Sequence, residues 1–202
     1  MAQQFVETIK IKEGEALALE YHQVRMERTI STFFPTACHE PAPALEKLVA
    51  PTASMGLYKA RVVYGERGVE TVEYAPYAMR RIKSLQVVED ATITYGYKST
   101  DRSRLNALAA LKGDCDEIII ARRGLLTDTS FTNLAIYDGK RWLTPRCPLL
   151  PGTKRAALLD MGAIQEADIT LEDLRNAVKI SLFNAMIEFG EMEVSTKNGI
   201  RF

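Results

Sequence analysis

The chain is poor in the residues that build metal sites and disulfide frameworks. Its 202 residues include three cysteines, two histidines and one tryptophan. Cys38, Cys115 and Cys147 are too few and too scattered for a disulfide framework or a zinc site, so we expect free thiols in a reducing compartment. Because only His22 and His39 are available, we expect no metal at the functional site.

The chain also has no net charge and no long apolar run. Lys and Arg total 26, as do Asp and Glu, and this balance argues against a general nucleic-acid-binding protein, which would be basic. No run approaches the roughly 18 apolar residues of a membrane span. The N-terminus lacks the basic start and apolar stretch of a signal peptide. We therefore expect a cytoplasmic protein with no nucleic-acid or membrane partner.

The first half of the chain has a mixed helix and strand pattern. Residues 17–34 predict a helix, with Leu17, Tyr21, Val24 and Arg28 on one face. The other predicted elements are a strand at 5–12, a short helix at 44–50, a hairpin formed by 56–64 and 68–75, and a strand at 80–88. These elements predict a first lobe over residues 1–90.

The second half, residues 91–202, predicts a second and larger lobe. The helices are expected at 103–112, closed by Gly113, at 152–161, and after the capping residue Thr170. The strands are expected at 117–122, 134–137, 141–143 and 178–185, and residues 191–195 are expected to finish this region as a turn. The Asp138-Gly139 pair predicts a tight hairpin turn. Together the two halves predict an α+β protein in two lobes.

Three short segments carry residues with chemical potential. Lys98 follows a predicted strand, Asp128 lies in a Thr/Ser-rich turn with Thr129, and Gly152-Thr153 opens a helix. Taken alone, these are a surface lysine, a turn residue and an ordinary helix start. Taken together, they supply an amine, an anion for a ring nitrogen and backbone N–H groups for a phosphate, as a pyridoxal-phosphate site requires.

These segments resemble motifs of the class IV (fold type IV) pyridoxal-phosphate enzymes, in the same order along the chain. His22-Gln23-Val24-Arg25 resembles the family's His-x-x-Arg, and Lys98-Ser99-Thr100-Asp101-Arg102 resembles its Lys-x-x-Asn-Arg. Residues 127–133 resemble Thr-Glu-x-x-x-Asn, and residues 144–155 resemble the later Thr-Pro and Leu-Leu-x-Gly segment. The resemblance covers about residues 17–190.

The resemblance implies a fold, a cofactor and a set of site residues. The fold would pair a small, short N-terminal α/β sandwich-like lobe with a larger C-terminal β-barrel-like lobe that carries helices. Lys98 would be the catalytic residue, which binds pyridoxal 5'-phosphate covalently and acts as the base. Arg25 would hold the phosphate by a charge-assisted fork. The further cofactor-binding residues would be Asp128, Thr129, Gly152 and Thr153.

The chain departs from the family pattern in two places. Asp128 stands where the family has glutamate, so the carboxylate is one methylene shorter, roughly 1.5 Å. We expect its charge to serve the same role. The lysine lies at position 98, which implies a shorter N-terminal lobe than in larger relatives. That lobe supplies substrate contacts in the family.

The closing segment bears on the reaction. Residues 182–187, with Asn184-Ala185-Met186, resemble 4-amino-4-deoxychorismate lyases, whereas aminotransferases of the family have a Gly-Thr-Ala type of turn. The resemblance thus favours a lyase that forms 4-aminobenzoate and pyruvate for folate biosynthesis from a small anionic substrate. An aminotransferase acting on branched-chain or D-amino acids is the alternative, and a catalytically weak or non-enzymatic member is the second. The family expectation is a homodimer.

Overall fold

The chain divides into two compact units. The computed structural model describes residues 3–35, 42–50 and 56–202, and Cys38 and His39 lie outside these ranges. The first unit contains the described residues up to Met79 together with Tyr97–Asp101, and the second contains Arg80–Gly96 and Arg102–Phe202. The division therefore falls earlier than the predicted boundary at residue 90, and a later segment returns to the first unit.

The first unit is built on a four-stranded sheet with the order β2-β1-β3-β4. Its long strands pair antiparallel, and the β3–β4 hairpin confirms the turn predicted between them. The elements of this unit are β1 (Phe5–Lys12), β2 (Glu15–Ala16), α1 (Leu19–Phe33), α2 (Leu45–Leu48), β3 (Leu57–Gly65) and β4 (Gly68–Pro76).

Helix α1 buries a different face from the one that the sequence predicted. Its buried residues are His22, Arg25, Met26 and Thr29, whereas Val24 is 66% exposed. Met26 packs in an apolar core with strand residues such as Phe5, Ile9 and Val62. The prediction of the face was wrong because the buried stripe contains two ionisable residues, His22 and Arg25, which are hydrogen-bonded to Glu7.

The second unit contains two sheets. Their orders are β10-β9-β8-β11-β12 and β13-β5-β6-β7. Parallel pairs occur in both, namely β9 with β10 and β5 with β6. The strands are β5 (Leu85–Glu89), β6 (Glu117–Arg122), β7 (Leu125–Leu126), β8 (Asn133–Tyr137), β9 (Trp142–Pro145), β10 (Gln165–Ala167), β11 (Lys179–Phe183), β12 (Glu193–Ser195) and β13 (Ile200–Arg201).

Short helices connect these strands. They are α3 (Ser103–Ala109), followed by a 3₁₀ turn at Ala110–Lys112, and α4 (Thr153–Asp160), α5 (Leu171–Asn176) and α6 (Thr196–Gly199). Thr170 caps α5 in a reciprocal capping box with Asp173, as the sequence predicted. Gly113 ends the 3₁₀ turn with a φ of 56°, a backbone conformation that glycine adopts without strain.

One strand is shorter than predicted. The sequence predicted a strand over 80–88, but the ladder with β6 begins at Leu85. The preceding amides are bound elsewhere, because Lys83 N and Ser84 N donate to Asp116 Oδ2 at 2.8 and 3.1 Å. A side chain distant in sequence therefore replaces strand pairing at this point.

The secondary structure confirms the predicted α+β class. Both units combine strands and helices, and the strands form three sheets across the described residues. Among the helices of the ranges given above, none is both long and apolar enough to cross a membrane.

Candidate active site

In the first unit, a buried carboxylate organises two of the residues singled out by the sequence. Glu7 lies on β1 with an exposed fraction of 0%. Arg25 donates to it through Nε, 3.0 Å from Oε1, and through Nη2, 2.5 Å from Oε2. His22 Nδ1 lies 2.6 Å from Glu7 Oε2. The cluster is therefore a bidentate ion pair with a histidine bound to the same carboxylate.

The electrostatics of this cluster fix its protonation state. Burial alone would raise the pKa of Glu7, but the charge of Arg25 and the hydrogen bonds from His22 and Arg25 lower that pKa to about 2. Burial lowers the pKa of His22, against the opposing influence of Glu7. At neutral pH an ionised Glu7 thus accepts a hydrogen bond from Nδ1–H of a neutral His22.

Lys98 belongs to the same unit as this cluster. Val6 N donates to the Lys98 carbonyl at 2.9 Å, and Thr100 N donates to the Gln4 carbonyl at 3.0 Å. The segment that carries Lys98 is therefore tied to the strand that carries Glu7. The charge of Lys98 contributes to the lowered pKa of His22, which places the ammonium within electrostatic range of the imidazole.

The sequence patterns did not indicate Glu7 as a residue of the site. Its signal was a single carboxylate on the face of β1 that otherwise carries the apolar residues Phe5 and Ile9. A carboxylate is almost never fully buried without a partner, so its position predicts a buried cation nearby. The partner could not be chosen from the sequence alone, because Arg25 is 18 residues away and on another element.

In the second unit, Asp128 is buried and held by two hydrogen bonds. Asn133 Nδ2 donates to its Oδ1 at 2.8 Å, and Leu150 N donates to its Oδ2 at 2.8 Å. Burial raises the pKa of Asp128 to about 6, although these hydrogen bonds and the charge of Arg155 oppose the rise. The hydrogen bonds and Arg155 therefore do not fully offset the burial of the ionised carboxylate, which leaves it under-compensated. A cation bound next to it would be stabilised by its charge.

Thr129 lies next to Asp128, but its hydroxyl is used within the turn. Its Oγ1 lies 2.7 Å from Thr132 Oγ1 and accepts from Thr132 N at 2.9 Å. Arg102 Nη2 donates to the carbonyl of Ser130 in the same turn, at 2.7 Å. In this structure Thr129 holds the turn that presents Asp128, and the predicted contact of Thr129 with a cofactor stays a prediction.

Gly152 and Thr153 lie at the start of α4, where the sequence predicted a phosphate contact. A Cβ at Gly152 would lie 2.0 Å from Asn133 Oδ1, so glycine is required for this approach. The amide of Asn133 therefore packs against Gly152 through its oxygen and donates to Asp128 through its nitrogen. No side chain caps the first turn of α4, and Thr153 is buried. Backbone N–H groups at such a helix start favour an anion.

The residues present fit a cofactor that has an aldehyde, a phosphate and a basic ring nitrogen. The first unit offers Lys98 as an amine and Arg25 as a cation. The second offers the under-compensated carboxylate of Asp128, which suits a protonated ring nitrogen, and the α4 start, which suits a phosphate. Pyridoxal phosphate has these three groups, and each unit separately offers residues that suit part of it.

Comparison with known proteins identifies the family. A model of the amino-transferase class IV family matches residues 4–192, nearly the whole chain. The chain belongs to this family. Its members are pyridoxal-phosphate-dependent enzymes of the aminotransferase and lyase types, and the resemblance found in the sequence is thereby confirmed.

Individual relatives agree with this assignment. A protein of Haemophilus influenzae, described only as uncharacterized, is 36% identical over 181 residues, which cover 89% of this chain and 96% of the relative. A crystal structure from Haemophilus somnus 129PT, named a "putative 4-amino-4-deoxychorismate lyase", has a TM-score of 0.83 and 35% identity and covers 91% of this chain and 96% of that one. The fold is therefore fold type IV, as predicted.

A more distant relative carries the same lyase name. The "putative aminodeoxychorismate lyase" of Schizosaccharomyces pombe is 28% identical over 127 residues. That match covers 58% of this chain and 54% of the yeast protein. The two Haemophilus proteins, by contrast, are matched over nearly their whole length, so they share the compact size of this class IV chain.

Proposed function

We propose that this class IV enzyme is a pyridoxal-phosphate-dependent lyase that converts 4-amino-4-deoxychorismate to 4-aminobenzoate and pyruvate. The observation that carries the proposal is the Asn184-Ala185-Met186 segment, which matches the lyase pattern in a chain of this family. The lyase names of the Haemophilus somnus structure and the fission yeast relative support the same reaction.

The hydrogen bonds within this segment support the lyase proposal. Asn184 Oδ1 accepts hydrogen bonds from Met186 N at 2.8 Å and Ile187 N at 3.1 Å, and its Nδ2 donates to the Phe131 carbonyl at 3.1 Å. The asparagine closes the turn with its own amide, in place of the Gly-Thr-Ala turn whose hydroxyl would bind phosphate. Phosphate binding then depends on Arg25 and the start of α4.

The predicted cofactor residues other than Thr129 have the following roles in the proposed site. Arg25, oriented by Glu7, and the backbone at Gly152 and Thr153 would hold the phosphate. Asp128 would hold the ring nitrogen in its protonated form. When bound, the cofactor supplies an electron sink for the carbon that bears the substrate amine.

Lys98 performs the proton transfer in this proposal. Its Nζ removes the proton from the carbon that bears the substrate amine, and the enolpyruvyl ether bond breaks as the ring becomes aromatic. The released enol takes a proton and becomes pyruvate. The reaction consumes no second substrate, which separates it from transamination.

The test is a borohydride trap followed by two activity assays. We expect the purified protein to become yellow with pyridoxal phosphate and to carry the reduced cofactor on Lys98. Lys98→Ala should keep the fold, as measured by circular dichroism, and lose turnover. Lys140→Ala, in the exposed β8–β9 turn, should keep both the fold and turnover. Pyruvate formed without an added keto acid supports the lyase, and turnover that requires a keto acid establishes the aminotransferase instead.

The setting of the enzyme is part of the proposal. We propose a cytoplasmic homodimer that acts on a small anionic substrate without a nucleic-acid or membrane partner. The zero net charge supports the absence of nucleic acid, and the family resemblance supports the dimer. Sedimentation equilibrium of the loaded protein should give twice the chain mass of 22.6 kDa, and a monomer would contradict the dimer.

A further inference from the structure

The second unit contains a cavity that none of the predicted site residues lines. Its volume is about 480 Å³. We call it the arginine cavity and define it by its lining, residues 91–94, 122–123, 125–127, 146–147 and 167–169.

The topology of the second unit brings strand ends to the arginine cavity. The parallel pair β5 and β6 ends at Glu89 and Arg122, and the parallel pair β9 and β10 ends at Pro145 and Ala167. The residues that follow these four strands supply most of the lining. The carboxyl ends of parallel strands, where loops leave a sheet, are common places for ligand sites.

The charges of the lining are predominantly positive. Arg122, Arg123 and Arg146 face one carboxylate, Asp168. Arg146 Nε lies 3.2 Å from Asp168 Oδ1, so this pair is largely neutral. The guanidinium groups of Arg122 and Arg123 have no carboxylate partner among the described residues, and Nη1 of Arg122 donates to the Ile93 carbonyl at 3.4 Å. An excess of two positive charges in one cavity favours an anion with two negative groups.

Arg123 is held at the cavity against its backbone preference. It lies in the β6–β7 turn with a φ of 54°, in the left-handed region where glycine is favoured. Its guanidinium has no hydrogen-bond or ion-pair partner within residues 3–35, 42–50 and 56–202. A strained turn at an arginine that has no structural partner in the part of the chain that the structure describes indicates a role for its charge.

The remaining lining is suited to an apolar body. The apolar residues that remain accessible at the cavity include Ala91, Leu125 and Ala167, whereas Ile93, Leu126 and Ile169, which also line it, are each 2% exposed. The hydroxyl-bearing residues Thr92 and Thr94 lie beside them and are exposed to solvent. Small-molecule sites commonly combine an apolar lining with a few polar groups that fix orientation.

We propose that the arginine cavity binds a small organic dianion, a dicarboxylate on an apolar ring or short chain. The apolar residues contact the body of the ligand, and Arg122 and Arg123 bind its carboxylates in charge-assisted hydrogen bonds. This site is separate from the proposed cofactor residues and does not depend on the proposed reaction.

The test is calorimetric titration with phthalate, benzoate and benzyl alcohol, with pyridoxal phosphate present throughout. We expect phthalate to bind with one-to-one stoichiometry, benzoate to bind more weakly and benzyl alcohol not to bind. Arg123→Gly removes the charge while glycine adopts the turn without strain, so the fold is retained. This variant should weaken phthalate binding about tenfold or more, as expected for loss of a charged hydrogen bond.

The control is Arg67→Gly, which removes an exposed arginine from the β3–β4 turn of the first unit. Its phthalate affinity should equal that of the unchanged protein. The proposal is overturned if phthalate binds no better than benzyl alcohol, or if Arg123→Gly and Arg67→Gly have the same affinity. A thermal melt of both variants verifies that the difference is not one of folding.

Discussion

Replacement of Glu7 by glutamine should destabilise the first unit substantially. The pKa of Glu7 is lowered from 4.5 to about 2 in the folded protein. A difference of roughly 2.5 pKa units corresponds to about 3 kcal/mol of stability at neutral pH. Loss of one partner from a buried ion pair typically costs 3–5 kcal/mol, because the other charge is left buried alone. The two estimates agree in size.

The effect should depend on pH with a definite sign. Because the folded-state pKa lies below the unfolded one, the stabilisation is fully present above about pH 4.5 and is lost as the pH falls toward 2. His22, whose pKa burial lowers, adds a loss of stability as the pH falls below its ordinary value of 6.5. Urea unfolding of wild type and Glu7→Gln at pH 7 and pH 4 should therefore show the larger difference at pH 7.

Matched variants identify the ion pair as the cause. Glu7→Gln combined with Arg25→Met removes both charges and should recover much of the lost stability. Glu73→Gln breaks an exposed contact with Arg61, in which the two side chains are 62% and 41% exposed, and should change stability by less than about 1 kcal/mol. The reasoning would be refuted by a Glu7→Gln loss as small as that of Glu73→Gln, or by a double variant no more stable than the single one.

Two further predictions concern the second unit. Relative to Asp128→Asn, the cofactor-free wild type should lose about 2 kcal/mol of stability between pH 4 and pH 7, since the pKa of Asp128 is raised to about 6 and the ionised form is disfavoured in the folded protein. The same change of unfolding free energy with pH in both proteins, measured with urea, would contradict this prediction. Gly152→Ala should lower the free energy of unfolding by about 1–3 kcal/mol, because the added Cβ displaces Asn133 from Asp128. Asn133→Ala should relieve part of that loss, and additive losses in a double-mutant cycle measured by thermal unfolding would contradict the clash.

Local signals in the sequence predicted much of the fold. The strand at Glu117–Arg122 has the predicted bounds because every residue before its last is buried and apolar or hydrogen-bonded. The capping box at Thr170 and the hairpin turn at Asp138-Gly139 depend on residues within a few positions of each other. Such features require no knowledge of distant contacts.

The structure differs from the prediction where contacts with residues distant in sequence determine the local structure. The buried face of α1 depends on Glu7, which lies on β1, and the late start of β5 depends on Asp116. In the candidate site, the motif order indicated Arg25, Lys98, Asp128, Gly152 and Thr153. The contacts that orient them, from Glu7 and Asn133, could not be assigned from spacing alone.

The discontinuity of the first unit affects how the protein can be made. Its sheet is encoded before Met79, but the segment Tyr97–Asp101, which hydrogen-bonds to Val6 of β1 and to Gln4 just before it, is encoded after β5 of the second unit. During synthesis, the hydrogen bonds between this segment and the start of the first unit can therefore form only after more than ninety further residues have been made. A fragment ending at Met79 would carry Glu7 and Arg25 without the lysine, so splitting the protein into separately produced halves requires a cut elsewhere.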